Sequence, residues 1–167
     1  MTIQNFSDWL ASTALSEAIQ NVTWVIPTVQ TIHILSISVV MSSVLVVYLR
    51  VMGLLGRSQS VEQVMHRFLP WVWYTLVVLL FTGVILIIGE PGRSLQNGAF
   101  ILKMSLLIAV VIITFFFQLA ARGNATFWES NRTRRTLGRV VASISLLMWV
   151  AIVCAGRMIA YVTTESS

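Results

Sequence analysis

Four long apolar runs set the pattern of the chain, at residues 25–49, 71–88, 100–121 and 140–162. Each is close to the ~20 residues a helix needs to cross the hydrocarbon core of a bilayer. Lipid offers the backbone no hydrogen-bond partners, so helices, which satisfy their own N–H and C=O groups, are the expected form. The alternating pattern of a membrane barrel strand is absent. The connections are short, which makes consecutive helices antiparallel neighbours. The pattern therefore predicts an all-α, integral membrane four-helix bundle, a single membrane domain over residues 1–167.

Ahead of these runs, Phe6, Trp9, Leu10, Thr13 and Ala14 fall at i, i+3, i+4, i+7 and i+8, with Asp8, Ser12 and Glu17 elsewhere. This spacing predicts an N-terminal amphipathic helix over 5–20, lying in the membrane interface and capped by Ser7. Pro27 suits the first turn of the first spanning helix. Residues 58–69 predict an interfacial turn of helix leading to Pro70, followed by Trp71, Trp73 and Tyr74 as part of an aromatic belt with Trp24 and Trp128. Small residues at Ser38-x-x-x-Ser42, at Ser36 and Ser43, and at Ala151-x-x-x-Ala155 followed by Gly156 allow close helix approach, within the bundle or between subunits.

Composition agrees: 57% of the residues are hydrophobic and 10% charged. A soluble domain carries about 25% charged residues, and disorder needs low hydrophobicity, so both classes are excluded. The charge is +5 overall and unevenly placed. Arg50, Arg57 and Arg67 follow the first run, and Arg122, Arg132, Arg134, Arg135 and Arg139 follow the third. The second connection carries Arg93 against Glu90, and the termini carry Asp8, Glu17 and Glu165. The positive-inside rule puts the arginine-rich side in the cytoplasm and both termini outside, as expected in a bacterial inner membrane. No basic run is interleaved with aromatics outside the apolar segments, so no nucleic-acid partner is expected. The N-terminus lacks the basic and apolar regions of a cleavable signal peptide. A single cysteine, Cys154, excludes a disulfide or a cysteine-based metal site within one chain.

Three ionisable residues fall inside the spans. Lys103 lies just inside the third, Arg157 five residues before the end of the fourth, and His33 near the outer end of the first. Ionisable groups in membrane helices usually face the bundle interior. At matching depth they would form a cationic pocket holding an imidazole. A haem b suits such a pocket: His33 would be an axial ligand, with Lys103 and Arg157 pairing with propionates. Gln30, one turn before His33, offers a polar side. Tyr161, Met104, Met158, a neighbouring subunit or water could supply a sixth ligand. His66, the other histidine, lies at the opposite end. The span separates it from His33 by about 25 Å, too far to share one iron. It would ligate a second haem or sit at the interface.

Three readings remain open. The first is a haem protein moving electrons to or from a redox partner, or acting as a haem-dependent oxidoreductase. The second is a small transporter or channel component that binds an anion or metal in the same pocket. The third is a structural or assembly subunit. Paired carboxylates and the H-E-x-x-H, G-x-S-x-G and Walker motifs are absent.

The order of several short motifs is similar to a family of bacterial four-helix inner-membrane proteins of unknown function. They are Pro27 through His33-Ile-Leu, Leu49-Arg50-x-x-Gly53, Arg67-x-Leu69-Pro70-Trp71, Thr82-Gly83, Ala99-Phe100-x-x-Lys103 and Gly156-Arg157-x-x-x-Tyr161. The resemblance covers almost the whole chain. It implies a haem-associated membrane protein assembled as a homo-oligomer, with His33 the first-choice ligand and Lys103 and Arg157 its supporting charges. A more distant likeness runs to four-helix membrane protoporphyrinogen oxidases and copper-resistance membrane domains, which also pair a histidine in the first helix with a lysine opening a later one.

Overall fold

The computed structural model describes residues 3–55, 59–95, 97–121, 127–128 and 130–162, with side chains through 159. Among these described residues seven helices follow in order: α1 (Ile3–Ala11), α2 (Ala14–Asn21), α3 (Val25–Met52), α4 (Val61–Gly89), α5 (Pro91–Leu95), α6 (Gly98–Ala121) and α7 (Arg132–Val162). No strand occurs among the described residues. α3, α4, α6 and α7 are long and apolar enough to cross a membrane. The chain is thus an all-α, multi-pass membrane bundle.

α3 packs along α4 and α7, and α7 along α6; α4 and α6 approach each other less closely. That fourth seam is bridged by Trp73, whose Nε1 donates to Gln118 Oε1 at 3.0 Å. The core is a column of Val40, Val51, Val61, Met65, Leu69, Val72, Val110, Trp149 and Ile152. α6 contributes little to it: only Val110 and Ala121 are buried on this helix. Of the serines on α3, the pair seven apart, Ser36 and Ser43, is buried. Ser38 and Ser42 are exposed and donate to carbonyls of their own helix.

The helix ends have local causes. α3 stops in a Schellman motif: Gly53 N–H donates to Arg50 O and Leu54 N–H to Leu49 O, both at 2.9 Å. Gly53 sits at φ +80°, a conformation that costs glycine little. This is the physical content of the Leu49-Arg50-x-x-Gly53 motif. α4 opens with a reciprocal capping box between Ser60 and Gln63.

The second span begins ten residues earlier than its apolar run. The expected interfacial turn over 58–69 and the span from 71 form one helix that runs through Pro70. Proline cannot donate to the carbonyl of His66, four residues back. The buried stripe Val61, Val64, Met65, Leu69 and Val72 nevertheless continues across it, and packing prevails over propensity. α7 likewise starts at Arg132, so Arg132, Arg134, Arg135 and Arg139 occupy its first turns rather than a loop.

The N-terminal segment is two helices, not one over 5–20. Ser12 and Thr13 hydroxyls donate back to Trp9 O and Leu10 O, and Thr13 Oγ1 then caps α2 by accepting from Ser16 N–H. Ser7 is not the cap. It lies inside α1 and is buried against α5, with Oγ 3.9 Å from where a Cβ on Gly92 would stand. α2 is fastened to the end of α4: Ser16 Oγ donates to Ile88 O at 2.7 Å and Gln20 Nε2 to Gly89 O at 2.9 Å. These bonds satisfy carbonyls left open where a helix ends. α1, α2 and α5 thus form a small layer over one end of the bundle, the end nearer His33.

Candidate functional site

His33 is the ninth residue of α3 and is half-buried. Its Nδ1 lies 2.7 Å from Thr82 Oγ1 on α4. The Thr82 hydroxyl points its single proton to Val78 O, 2.8 Å away in its own helix. With that proton on Val78 O, the hydroxyl accepts from Nδ1–H of the imidazole; in the other tautomer Thr82 donates to Nδ1 instead. The first tautomer leaves the lone pair on Nε2, the state in which a histidine binds a metal. Thr82 is 7% exposed, which keeps water from competing for this bond.

The next residue on α4 is Gly83. A Cβ placed there would stand 3.7 Å from His33 Cε1. The absent side chain leaves open space beside the ring, enough for a methyl group.

Lys103, the sixth residue of α6, is half-buried. Its side chain lies along α7 at Gly156, where a Cβ would stand 3.7 Å from Nζ and 3.9 Å from Cδ and Cε. It has no carboxylate or hydrogen-bond partner among the described residues. The imidazole of α3 thus lies against Thr82 and Gly83 of α4, and the ammonium of α6 against Gly156 of α7.

The other sequence-predicted residues are placed differently. Arg157 follows Gly156 and so shares the depth of Lys103, but its side chain is exposed. Gln30 is exposed one turn before His33, and Met158 is 55% exposed; Met104 is half-buried beside Lys103. The side chain of Tyr161 lies outside the described residues. His66 is exposed near the start of α4. It is sixteen residues from Thr82, about 24 Å along the helix axis, and is not part of this cluster. No group of three or more His, Cys, Asp or Glu that could hold a metal ion is found among the described residues.

Residues 6–162 match the family described as "Family of unknown function (DUF6644)". The chain belongs to this family. No curated protein and no solved structure matches it. The match runs from within α1 to the end of α7, so the His33–Thr82 pair and the Lys103–Gly156 contact both lie within the DUF6644 region.

Thr82 and Gly156 do work at this DUF6644 site that their sequence positions do not announce. Thr82 stands out as a hydroxyl in an apolar helix, seven residues after Thr75. A threonine there can equally bond its own helix, as Thr75 does to Trp71 O. Only the packing of α3 on α4 brings an imidazole to it. Gly156 reads from sequence as a helix-packing residue, and the group that fills its slot is the Lys103 chain.

Proposed function

We propose that this DUF6644 chain is a b-type haem-binding membrane protein with a redox role, and that His33 Nε2 is the axial ligand. The observation that carries the reading is the His33–Thr82 hydrogen bond. It orients the ring and, with the proton on Nδ1, leaves the Nε2 lone pair to bind a metal, the arrangement typical of metal-ligating histidines.

The residues present fit the group. A haem iron already has four nitrogen ligands from its macrocycle, so one histidine suffices where a protein-only metal centre would need three or four ligands. Gly83 places no side chain against the ring, beside which a methyl group would stand at ordinary contact distance. The Lys103 ammonium, without a partner among the described residues, suits a propionate, and Arg157 at the same depth would provide the bidentate fork for the other. When bound, the haem would supply one-electron redox chemistry. The chain's own residues bind it, fix the imidazole plane and neutralise the acid groups. Single ligation within one chain agrees with a haem shared between copies of a homo-oligomer. The poorly buried α6 and the exposed Ser38 and Ser42 on α3 offer surfaces for that assembly. By the positive-inside rule, the His33 end faces outward, with both termini, and the arginine-rich end faces the cytoplasm of a bacterial inner membrane. A redox partner would then be met at the His33 end.

The test is an absorption spectrum of protein purified after haem-replete expression, oxidised and reduced, with a pyridine haemochrome assay for type and stoichiometry. A Soret band that His33→Ala abolishes and His66→Ala leaves intact is expected. Protein that folds and carries no haem would sink the proposal and favour an anion or metal at the same cationic cluster.

A further inference from the structure

The end of the bundle opposite His33 holds a second feature, independent of the first. A cavity of about 650 Å³ opens between the end of α3, the start of α4 and the first turns of α7. Arg50, Arg135 and Arg139 line it, with Val51, Met52, Gly53, Leu54, Val61 and Trp128. No acidic residue is among these.

Arg50 is 9% exposed, and its Nε donates to Gln59 O at 2.6 Å. Arg139 Nη2 reaches Met52 O at 3.3 Å, while its buried Nε has no partner among the described residues. Trp128 is 7% exposed, and its buried indole N–H likewise has no partner among the described residues. The Arg135 side chain makes no hydrogen bond or ion pair among the described residues.

A helix C-terminus attracts cations, and Arg139 capping α3 would be one account of this cluster. It covers only part of it. The Schellman motif already satisfies Leu49 O and Arg50 O, and Met52 O takes a single N–H. Each guanidinium carries five donors, so toward the described residues Arg135 and Arg139 keep unused capacity around one polar, sizeable space. Buried donors left unpaired are costly, and guanidinium forks match the oxygens of a phosphate.

We propose that this cavity binds a phosphate-bearing anion, held by Arg135 and Arg139 with Arg50 and the Trp128 indole behind them. Basic pockets between membrane helices hold anionic lipid headgroups. Leu54, 73% exposed at the rim, provides an apolar path for an acyl chain. A soluble phosphate would use the same donors.

The test uses the full chain, folded by circular dichroism, in nanodiscs of equal phosphatidylglycerol and phosphatidylcholine, followed by native mass spectrometry of the lipids released with it. A parallel thermal melt in neutral detergent is run with and without 10 mM inorganic phosphate or pyrophosphate. Selective retention of phosphatidylglycerol that Arg135→Gln/Arg139→Gln weakens identifies a lipid headgroup. A rise in melting temperature with phosphate or pyrophosphate, lost in the same variant, identifies a soluble anion. Each arginine is expected to contribute about fivefold. Should Arg139→Gln fail to fold, Arg135→Gln alone, exposed on the helix, must still weaken binding about fivefold. Equal retention of both lipids with no response to phosphate or pyrophosphate overturns the proposal. So does binding that survives in the folded variants.

Discussion

His33 Nδ1 and Thr82 Oγ1 stand 2.7 Å apart across the α3–α4 interface, and Thr82 Oγ1 also lies 2.8 Å from Val78 O of its own helix. Removing the hydroxyl leaves His33 Nδ1 without this partner and frees the ring to turn. Thr82→Val, of nearly the same shape, should lower stability by about 1 kcal/mol, the scale of an interhelical hydrogen bond in a membrane protein. On the haem reading it should also weaken haem retention about ten- to hundredfold, as loss of a ligand's orienting partner does. Thr82→Ser should restore both. Titration of apo-protein with haem, beside a thermal melt, reads the two effects. Unaltered affinity in Thr82→Val would show that the threonine does not orient the ligand.

Lys103 tests whether the cationic cluster serves stability or binding. Its ammonium lies over Gly156 with no carboxylate among the described residues, and an unpaired cation within a span is a cost to the fold. Lys103→Met keeps the chain length and removes the charge. The melting temperature should hold or rise while haem content falls; Lys103→Arg should keep the content. A stability loss with unchanged haem content would instead make the lysine a structural group.

The spans and the depth of the ionisable residues were legible because both depend only on run length and helical rise. Rotational phase was not legible. Placing His33 at Thr82, and Lys103 against Gly156 while Arg157 turns outward, depends on which face of each helix packs inward. In α3 and α4 the apolar residues run nearly all round, so their sequence carries little directional signal. The start of α4 was obscured by Pro70, which reads as a boundary although the buried stripe on either side carries the helix through. The N-terminal break was masked because Ser12 and Thr13 fit an amphipathic spacing even as their hydroxyls draw the backbone out of it.

Gly89 sets how closely the N-terminal layer approaches the bundle. A Cβ there would stand 3.0 Å from Ile19 Cγ2 and 3.4 Å from Ile26 Cδ1. Overpacking of this kind costs about 1–3 kcal/mol, partly offset by the better helix propensity of alanine. Gly89→Ala should therefore destabilise by about 1 kcal/mol, read by thermal or denaturant melting. Ile19→Ala removes the clashing methyl, so the double variant should be more stable than the two single effects added together, by at least about 0.5 kcal/mol. Simple additivity would mean that the α2–α4 contact is not the origin of the loss.

Ser16 is the other fastening of that layer. It is fully buried, accepts from Gln20 Nε2 at 3.1 Å and donates to Ile88 O at 2.7 Å. Ser16→Ala removes one link and leaves the Ile88 carbonyl and part of the Gln20 amide without this partner. The expected cost is about 1 kcal/mol. It should be felt locally, because the rest of α4 keeps its core contacts. Amide exchange in α1 and α2 should quicken several-fold while α3 and the centre of α4 stay protected, as expected when a peripheral unit opens independently of the core. Ser38→Ala is the control: that serine is exposed and its hydroxyl returns to Ile34 O within its own helix, so the change should fall within about 0.5 kcal/mol. Equal exchange in the two variants would show that α2 is held by its apolar contacts at Ile19 and Gly89 rather than by the serine bond. The covering of the His33 end would then be a matter of shape alone.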